Sequence, residues 1–277
     1  MALLVLGCLL SFVSLAAAED CVVGYSSEEH GSCQPCTPGS YHKNATAGCA
    51  PCPSGTAAGA HIRDQGLRFF SFDANTEQAG VTLMNFADPT SAESGWGAEG
   101  LVFDGKDDHV VLEPWEIGGA MSVEAFVKYE RLNDYSRVID FGNGAENDNI
   151  ILNNYRRTSE ASWSIHHRNL ATSVNTPPNF WVLGEWVHVV ATVTDGGAMA
   201  IYKNGVLQGS NPGGHAPITM IRTQHYVGKS NWANEYFHGT IRYVGVYDRA
   251  LDLTDQATAT TVFRIGLAGA SRSLARA

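Results

Sequence analysis

The carboxylates are the first residues in this sequence to weigh for chemistry. Cleaving a glycosidic bond with retention needs two carboxyl groups about 5–5.5 Å apart. A strand delivers that separation only from residues two apart on one face. Glu124 and Glu130 share a parity along one strand-like run, but six residues separate them, too far for that reaction. Glu146 and Asp148 have the right spacing, yet they follow Gly142-Asn143-Gly144-Ala145 in a segment that reads as a loop. No Gly-x-Ser-x-Gly elbow, phosphate loop or zinc-protease helix occurs. The residues therefore point away from an enzyme.

Hard cations want oxygen ligands, and two loops concentrate them: Gly105-Lys106-Asp107-Asp108 and the stretch from Asn143 through Asn149. Asp140, Asn143 and Asp148 are the candidate calcium ligands of the second. Asp and Asn also populate ordinary turns, where they satisfy local backbone N–H groups. His166 and His167 are adjacent, so on a strand they point to opposite faces and cannot share one ion. His188, inside a β-branched run, reads as a packed, hydrogen-bonded histidine.

Sugar binding needs exposed rings flanked by amides or other polar groups. Asn231-Trp232-Ala233-Asn234-Glu235-Tyr236-Phe237 fits best, and Trp232, Asn234 and Tyr236 are its candidate ligand-binding residues. Tyr155-Arg156-Arg157 and Asn179-Phe180-Trp181 are lesser candidates. The competing reading is that these rings plug the ends of a β-sandwich. Phe126 and Trp186 are expected in the core.

The elements that must hold these residues are strands. Trp186 to Val193 is a β-branched run without Pro or Gly, followed by two short runs separated only by Asn204-Gly205. A two-residue Asn-Gly loop signals a hairpin, because a type I′ turn needs positive φ at both central positions. Predicted strands cover 67–72, 100–103, 109–112, 121–129, 137–141, 149–152, 162–166, 186–193, 200–203, 206–208, 226–228 and 238–247. Neither face of 186–193 is clearly polar, so it should be covered on both sides. Residues 256–265 have modest helical character, and the tail 254–277 is expected to be loose.

At 277 residues, 44% hydrophobic and 17% charged, the chain has a globular composition. A formal charge of −10 argues against nucleic acid or an anionic membrane as partner. Residues 2–18 carry no charge and end in Ala16-Ala17-Ala18 before Glu19-Asp20, the pattern of a secretory signal peptide over 1–18. A short membrane anchor is the competing reading, and the run lacks the usual Lys or Arg at its start. No later segment is apolar enough to insert in a membrane.

Of the 6 cysteines, Cys8 would leave with the signal, and the others, Cys21, Cys33, Cys36, Cys49 and Cys52, cluster in residues 19–60. Two Cys-x-x-Cys pairs could hold zinc, but a secreted context favours disulfides. Asn44-Ala45-Thr46 is an acceptor for N-glycosylation in the same segment.

Cys33-Gln34-Pro35-Cys36-Thr37-Pro38-Gly39-Ser40 is echoed by Cys49-Ala50-Pro51-Cys52-Pro53-Ser54-Gly55-Thr56. The repeat resembles ephrin-receptor-like cysteine repeats, relatives of the tumour-necrosis-factor-receptor type. That resemblance implies Cys21–Cys33 and Cys36–Cys49 bridges. It leaves Cys52 as a free thiol, an intermolecular crosslink or the mark of a truncated array.

Residues 67–253 carry a second resemblance. Phe103-Asp104-Gly105-Lys106-Asp107-Asp108-His109-Val110, Met121 to Lys128, Arg137 to Gly142, Trp186 to Ala191, Ile201 to Gly205 and Tyr236 to Ile241 stand in the order of laminin G-like domains. So does Tyr247-Asp248-Arg249-Ala250-Leu251. Arg242 replaces a carboxylate usual in the last strand, which speaks against calcium there. Asp104 and Asp107 look like turn-capping residues of the opening motif. The resemblance implies an all-β, two-sheet concanavalin A-like jelly-roll sandwich behind a small N-terminal disulfide-rich module. It further implies a secreted, non-enzymatic protein that binds a glycan or an extracellular protein, as in adhesion. A jelly-roll hydrolase or lyase, and a structural fragment of a multi-repeat surface protein, are the alternatives.

Overall fold

The computed structural model describes residues 25–27, 33–35, 40–42, 49–51, 67–72, 78–86, 94–168 and 170–253. The signal at 1–18, Asn44 and the tail 254–277 lie outside the described residues, as do the side chains on which the cysteine pairings rest. Two short antiparallel ribbons come first, pairing β1 (Tyr25–Ser27) with β2 (Cys33–Pro35) and β3 (Ser40–His42) with β4 (Cys49–Pro51).

The remaining strands are β5 (Leu67–Ser71), β6 (Val81–Met84), β7 (Gly95–Gly97), β8 (Gly100–Asp104), β9 (His109–Leu112), β10 (Trp115–Ile117), β11 (Met121–Arg131) and β12 (Arg137–Gly142). They continue as β13 (Ile150–Asn154), β14 (Ala161–His167), β15 (Leu170–Asn175), β16 (Trp186–Val193), β17 (Met199–Lys203) and β18 (Val206–Asn211). The last are β19 (Met220–Arg222), β20 (Gln224–Val227) and β21 (His238–Tyr247). No helix occurs among the described residues. One antiparallel sheet runs β18-β17-β16-β11-β21-β8-β7, and β5 pairs with the part of β21 that β8 leaves free. The other runs β15-β14-β13-β12-β20-β9-β6. The Asn204-Gly205 turn is as the sequence requires, with φ of 51° and 80°.

Alternation decides what lies between the sheets. Val123, Ala125 and Val127 of β11 face Phe141, Leu152 and Trp163 across one continuous core. On the same strand Ser122, Glu124 and Phe126 point outward. Phe126, expected in the core, is instead buried on this outer face, where it stacks on Trp186 at 4.7 Å. Trp186 is only half-buried, so the core expectation for it is corrected too.

The outer face carries its own polar centre. Glu124, 1% exposed, accepts hydrogen bonds from His188 Nε2 at 3.0 Å, from Tyr243 OH at 2.9 Å and from Tyr247 OH. The chain after β21 folds back over it: Leu251 N donates to Ser122 Oγ at 2.9 Å, and Leu251 and Leu253 pack on Val190, Tyr202 and Tyr247. Both faces of β16 are thus covered, and His188 is a packed, hydrogen-bonded histidine.

Candidate functional site

The seven-stranded sheet presents a groove of about 570 Å3 on its outer face. Its floor comes from β13, β14 and β15. Alternation sends Ile150, Leu152, Trp163, Ile165 and Val174 into the core. The intervening Asn153, Ser162, Ser164, His166, Ser173 and Asn175 line the groove. Register then arranges them in rows: Asn153 faces Ser162 and Ser162 faces Asn175, while Ile151 faces Ser164 and Ser164 faces Ser173. Short hydroxyl and amide side chains make the floor both low and polar.

The loop between β20 and β21 brings the ring. It leaves the sheet at Gly228, whose φ is +81° and where a Cβ would lie 2.6 Å from Phe103 Cε1, so only glycine fits. Phe237 N donates to the Gly228 carbonyl at 2.9 Å and closes the excursion. Inside it Trp232 N donates to Ser230 Oγ at 3.0 Å, and that hydroxyl donates to Asn234 Oδ1 at 3.0 Å.

Asp140 of β12 fastens the loop to the sheet. Its Oδ1 accepts from Asn231 Nδ2 at 2.8 Å and Asn149 Nδ2 at 2.9 Å, and its Oδ2 accepts from Asn231 N at 2.9 Å. Arg137 Nε stands 3.6 Å from Asp140 Oδ2, and Arg137 Nη2 donates to Asn234 Oδ1 at 3.1 Å. A guanidinium only donates, so the Asn234 oxygen must face it and the amide NH2 turns away, without a partner among the described residues. The Arg137 guanidinium also lies 5.6 Å from the Trp232 ring, and the His166 ring lies 5.3 Å from it. The indole is held in place while remaining half-exposed.

Tyr135 and Tyr155, edge to face at 5.7 Å, line the same groove. Burial holds the His166 pKa below its ordinary value, so at neutral pH the ring offers one donor and one acceptor. Charge in the lining is mixed: Arg137 and Arg168 against Glu146. The groove can thus hydrogen-bond a row of hydroxyls and stack a flat apolar face on Trp232.

Of the sequence candidates, Trp232, Asn234 and Tyr155 line this groove. Tyr236 belongs to the same loop, but its ring sits 5.8 Å from His109 and its carbonyl accepts from Asn133 Nδ2 at 2.9 Å. Arg157 pairs with Glu235, whose carboxyl it holds below the usual range. Phe180 and Trp181, offered as sugar contacts, are 1% and 2% exposed and belong to the core, where Trp181 packs on Tyr129 at 4.8 Å.

The residues offered for calcium have separate partners. Asp140 is engaged as above, Asn143 Oδ1 accepts from Thr223 N at 2.9 Å and Thr223 Oγ1 at 3.0 Å, and Asp148 is bonded to His167 Nδ1. His166 and His167 diverge as adjacent strand residues should. Arg137, Asn153, Ser162, Ser164, Ser173 and Asn175 escaped the sequence reading. The alternation Ser162-Trp163-Ser164-Ile165-His166, small and polar against large and apolar, was the available signal.

A family model described as the concanavalin A-like lectin/glucanases superfamily matches residues 104–255. No curated protein matches the chain. Among solved structures, it is similar to domain 4 of AbnA, a GH43 extracellular arabinanase from Geobacillus stearothermophilus in complex with arabinotriose. Identity there is 19% over 71% of this chain and 87% of that one, with a TM-score of 0.48. It is also similar to the native heptameric SAP-like pentraxin from Limulus polyphemus, at 16% identity over 58% and 80% of the two chains, TM-score 0.46. Trypanosoma rangeli sialidase in complex with sialic acid aligns at 17% identity over 72% of this chain and 32% of its own, TM-score 0.49.

Proposed function

Because the chain belongs to the concanavalin A-like lectin/glucanases superfamily through residues 104–255, we propose that it is a non-catalytic glycan-binding protein whose site is the groove on β12–β15. The uncharged, signal-like segment at 1–18 supports an extracellular setting for that binding. The observation that carries the reading is the floor: the cross-strand neighbours Asn153-Ser162-Asn175 and Ser164-Ser173, short and polar, beside a half-exposed, anchored indole. Sugars present hydroxyls around an apolar ring face, and the groove offers partners to both.

The lining also supports binding over hydrolysis. Among the described residues that form it, Glu146 is the one carboxylate, and a retaining or inverting glycosidase needs two. A few hydrogen bonds of about 1 kcal/mol each and one ring contact, set against the entropy cost of association, make a weak single site. Such sites are read best in multivalent display.

The test is a glycan array probed with the disulfide-intact chain presented multivalently. Saturable binding to a related set of oligosaccharides is expected, reduced about tenfold by Trp232→Ala through loss of roughly 1–1.5 kcal/mol of ring contact. A blank array would overturn the reading, and so would release of reducing sugar from the bound glycans.

A further inference from the structure

Tyr135 occupies a place in the groove that its own backbone disfavours. The turn Asn133–Ser136 is closed by Ser136 N donating to the Asn133 carbonyl at 3.4 Å, and its third residue, Tyr135, has φ of +48°. Positive φ at that place of a turn favours glycine or asparagine, and a bulky aromatic there is strained. Such strain persists only where the surroundings hold it, and it collects at ligand clamps. Here Tyr135 N donates to the Arg156 carbonyl at 3.1 Å, Glu235 N donates to the Asp134 carbonyl at 3.3 Å, and the Arg137 guanidinium lies 5.8 Å from the Tyr135 ring.

The core gains nothing from this strain. Tyr135 is half-exposed and stands outside the hydrophobic core, and its hydroxyl accepts a long bond, 3.4 Å, from the exposed Arg156 Nε. The turn's effect is to set a ring in the groove lining, edge to face with the half-exposed Tyr155.

Those two tyrosines begin a line of contacts that follows the groove. Tyr155 meets Tyr135 at 5.7 Å, Tyr135 meets the Arg137 guanidinium at 5.8 Å, that guanidinium meets Trp232 at 5.6 Å, and Trp232 meets His166 at 5.3 Å. Both ends of the line are tied to β14. Tyr155 N donates to the Glu160 carbonyl at 2.9 Å, just before the strand starts at Ala161, and His166 stands near the strand's far end. At the usual rise of a strand, Ala161 and His166 are about 16 Å apart. The rings therefore run along β14, with Tyr135 toward one end and Trp232 toward the other, and Ser162 and Ser164 line the floor between those ends. A floor of that length exceeds a single sugar ring. On the glycan reading, on which this inference rests, we propose that Tyr135 is a second ring platform and that the groove takes a run of two or more linked sugars. Trp232 holds one unit, Tyr135 holds another, and Tyr135 is the residue that selects for chain length.

An array of linear gluco-, manno-, galacto- and xylo-oligosaccharides, each in lengths from one to five units, tests it with the full chain and paired thermal melts. Wild type is expected to bind at least one series, with affinity rising about tenfold from one unit to three as the second ring is reached. Tyr135→Asn relieves the left-handed strain while removing the ring, so its melting midpoint should stay within about 3 °C of wild type. That variant should bind single units as wild type does and lose the rise with length, whereas Tyr135→Phe should keep it. Wild-type binding that does not grow with length would overturn the inference and leave the glycan reading standing. So would a Tyr135→Asn protein that keeps the rise. Tyr135→Asn melting far below wild type would also overturn it, because the ring would then serve the fold. Absence of binding at every length would overturn the inference together with the reading it rests on.

Discussion

His225 and Arg222 show how single polar side chains shape this core. Arg222 is wholly buried; its Nε donates to the Asp148 carbonyl at 2.6 Å, Nη2 to the Ile218 carbonyl at 3.1 Å and Nη1 to the Ile117 carbonyl. One guanidinium thus ties the loop before β13 to the β10–β19 ribbon. His225 lies beside it, 0% exposed and stacked on Trp115 with ring centroids 3.6 Å apart. Burial pushes its pKa down to about 3. Between that value and an ordinary histidine's roughly 6.5, the unfolded chain binds a proton that the folded chain refuses, so stability falls as pH falls through the window. One such group contributes a slope of about 1.4 kcal/mol per pH unit. His109 and His166, also lowered by burial, add slopes of the same sign. Denaturant unfolding of wild type and His225→Phe from pH 7 to pH 4 should show a shallower loss in the variant. Equal slopes would mean that His225 is protonated in the fold.

At the scale of elements, the loop after Gly228 sets the position of Trp232. Gly228→Ala should cost about 1–3 kcal/mol, through a left-handed φ of +81° and a Cβ driven 2.6 Å from Phe103 Cε1. A melt and a glycan titration on that variant would show both lost stability and weakened binding if the loop holds the ring. Unchanged binding at lowered stability would separate the two. The long strands were legible because β-branched runs and turn residues announce them, and Asn204-Gly205 marked its hairpin outright. β15 was not legible: Leu170-Ala171-Thr172-Ser173-Val174-Asn175 is a half-exposed edge strand whose only deeply buried side chain is Val174. Without β15, the serines of β14 have no row to join. Trp232 and Asn234 could be singled out as an aromatic–amide loop, but Asn153, Ser162 and Asn175 become neighbours only through register. Register follows from the assembled sheet and not from any one strand. Phe180 and Trp181 misled for the converse reason, since an Asn-flanked ring pair reads the same whether it caps the core or faces solvent.

The whole molecule gives its two outer faces different work. Across the eight-stranded sheet, Phe126 and Trp186 stack, Glu124 is sealed beneath tyrosines, and the segment through Leu253 covers the surface. The seven-stranded sheet leaves its outer face open, polar and ringed by Trp232, Tyr135 and Tyr155. In a chain of net charge −10, the groove lining sets Arg137 and Arg168 against Glu146. Ser173 is exposed, lies on the edge strand and lines the groove floor, so Ser173→Leu fills the floor with little effect on the core. The deciding measurement is the glycan array run side by side with wild type and Ser173→Leu, each shown to melt at the same temperature. Binding by wild type and at least a tenfold loss in the variant is the predicted result. Equal binding by the two proteins would contradict the account, because the sugar would then be held somewhere other than the groove.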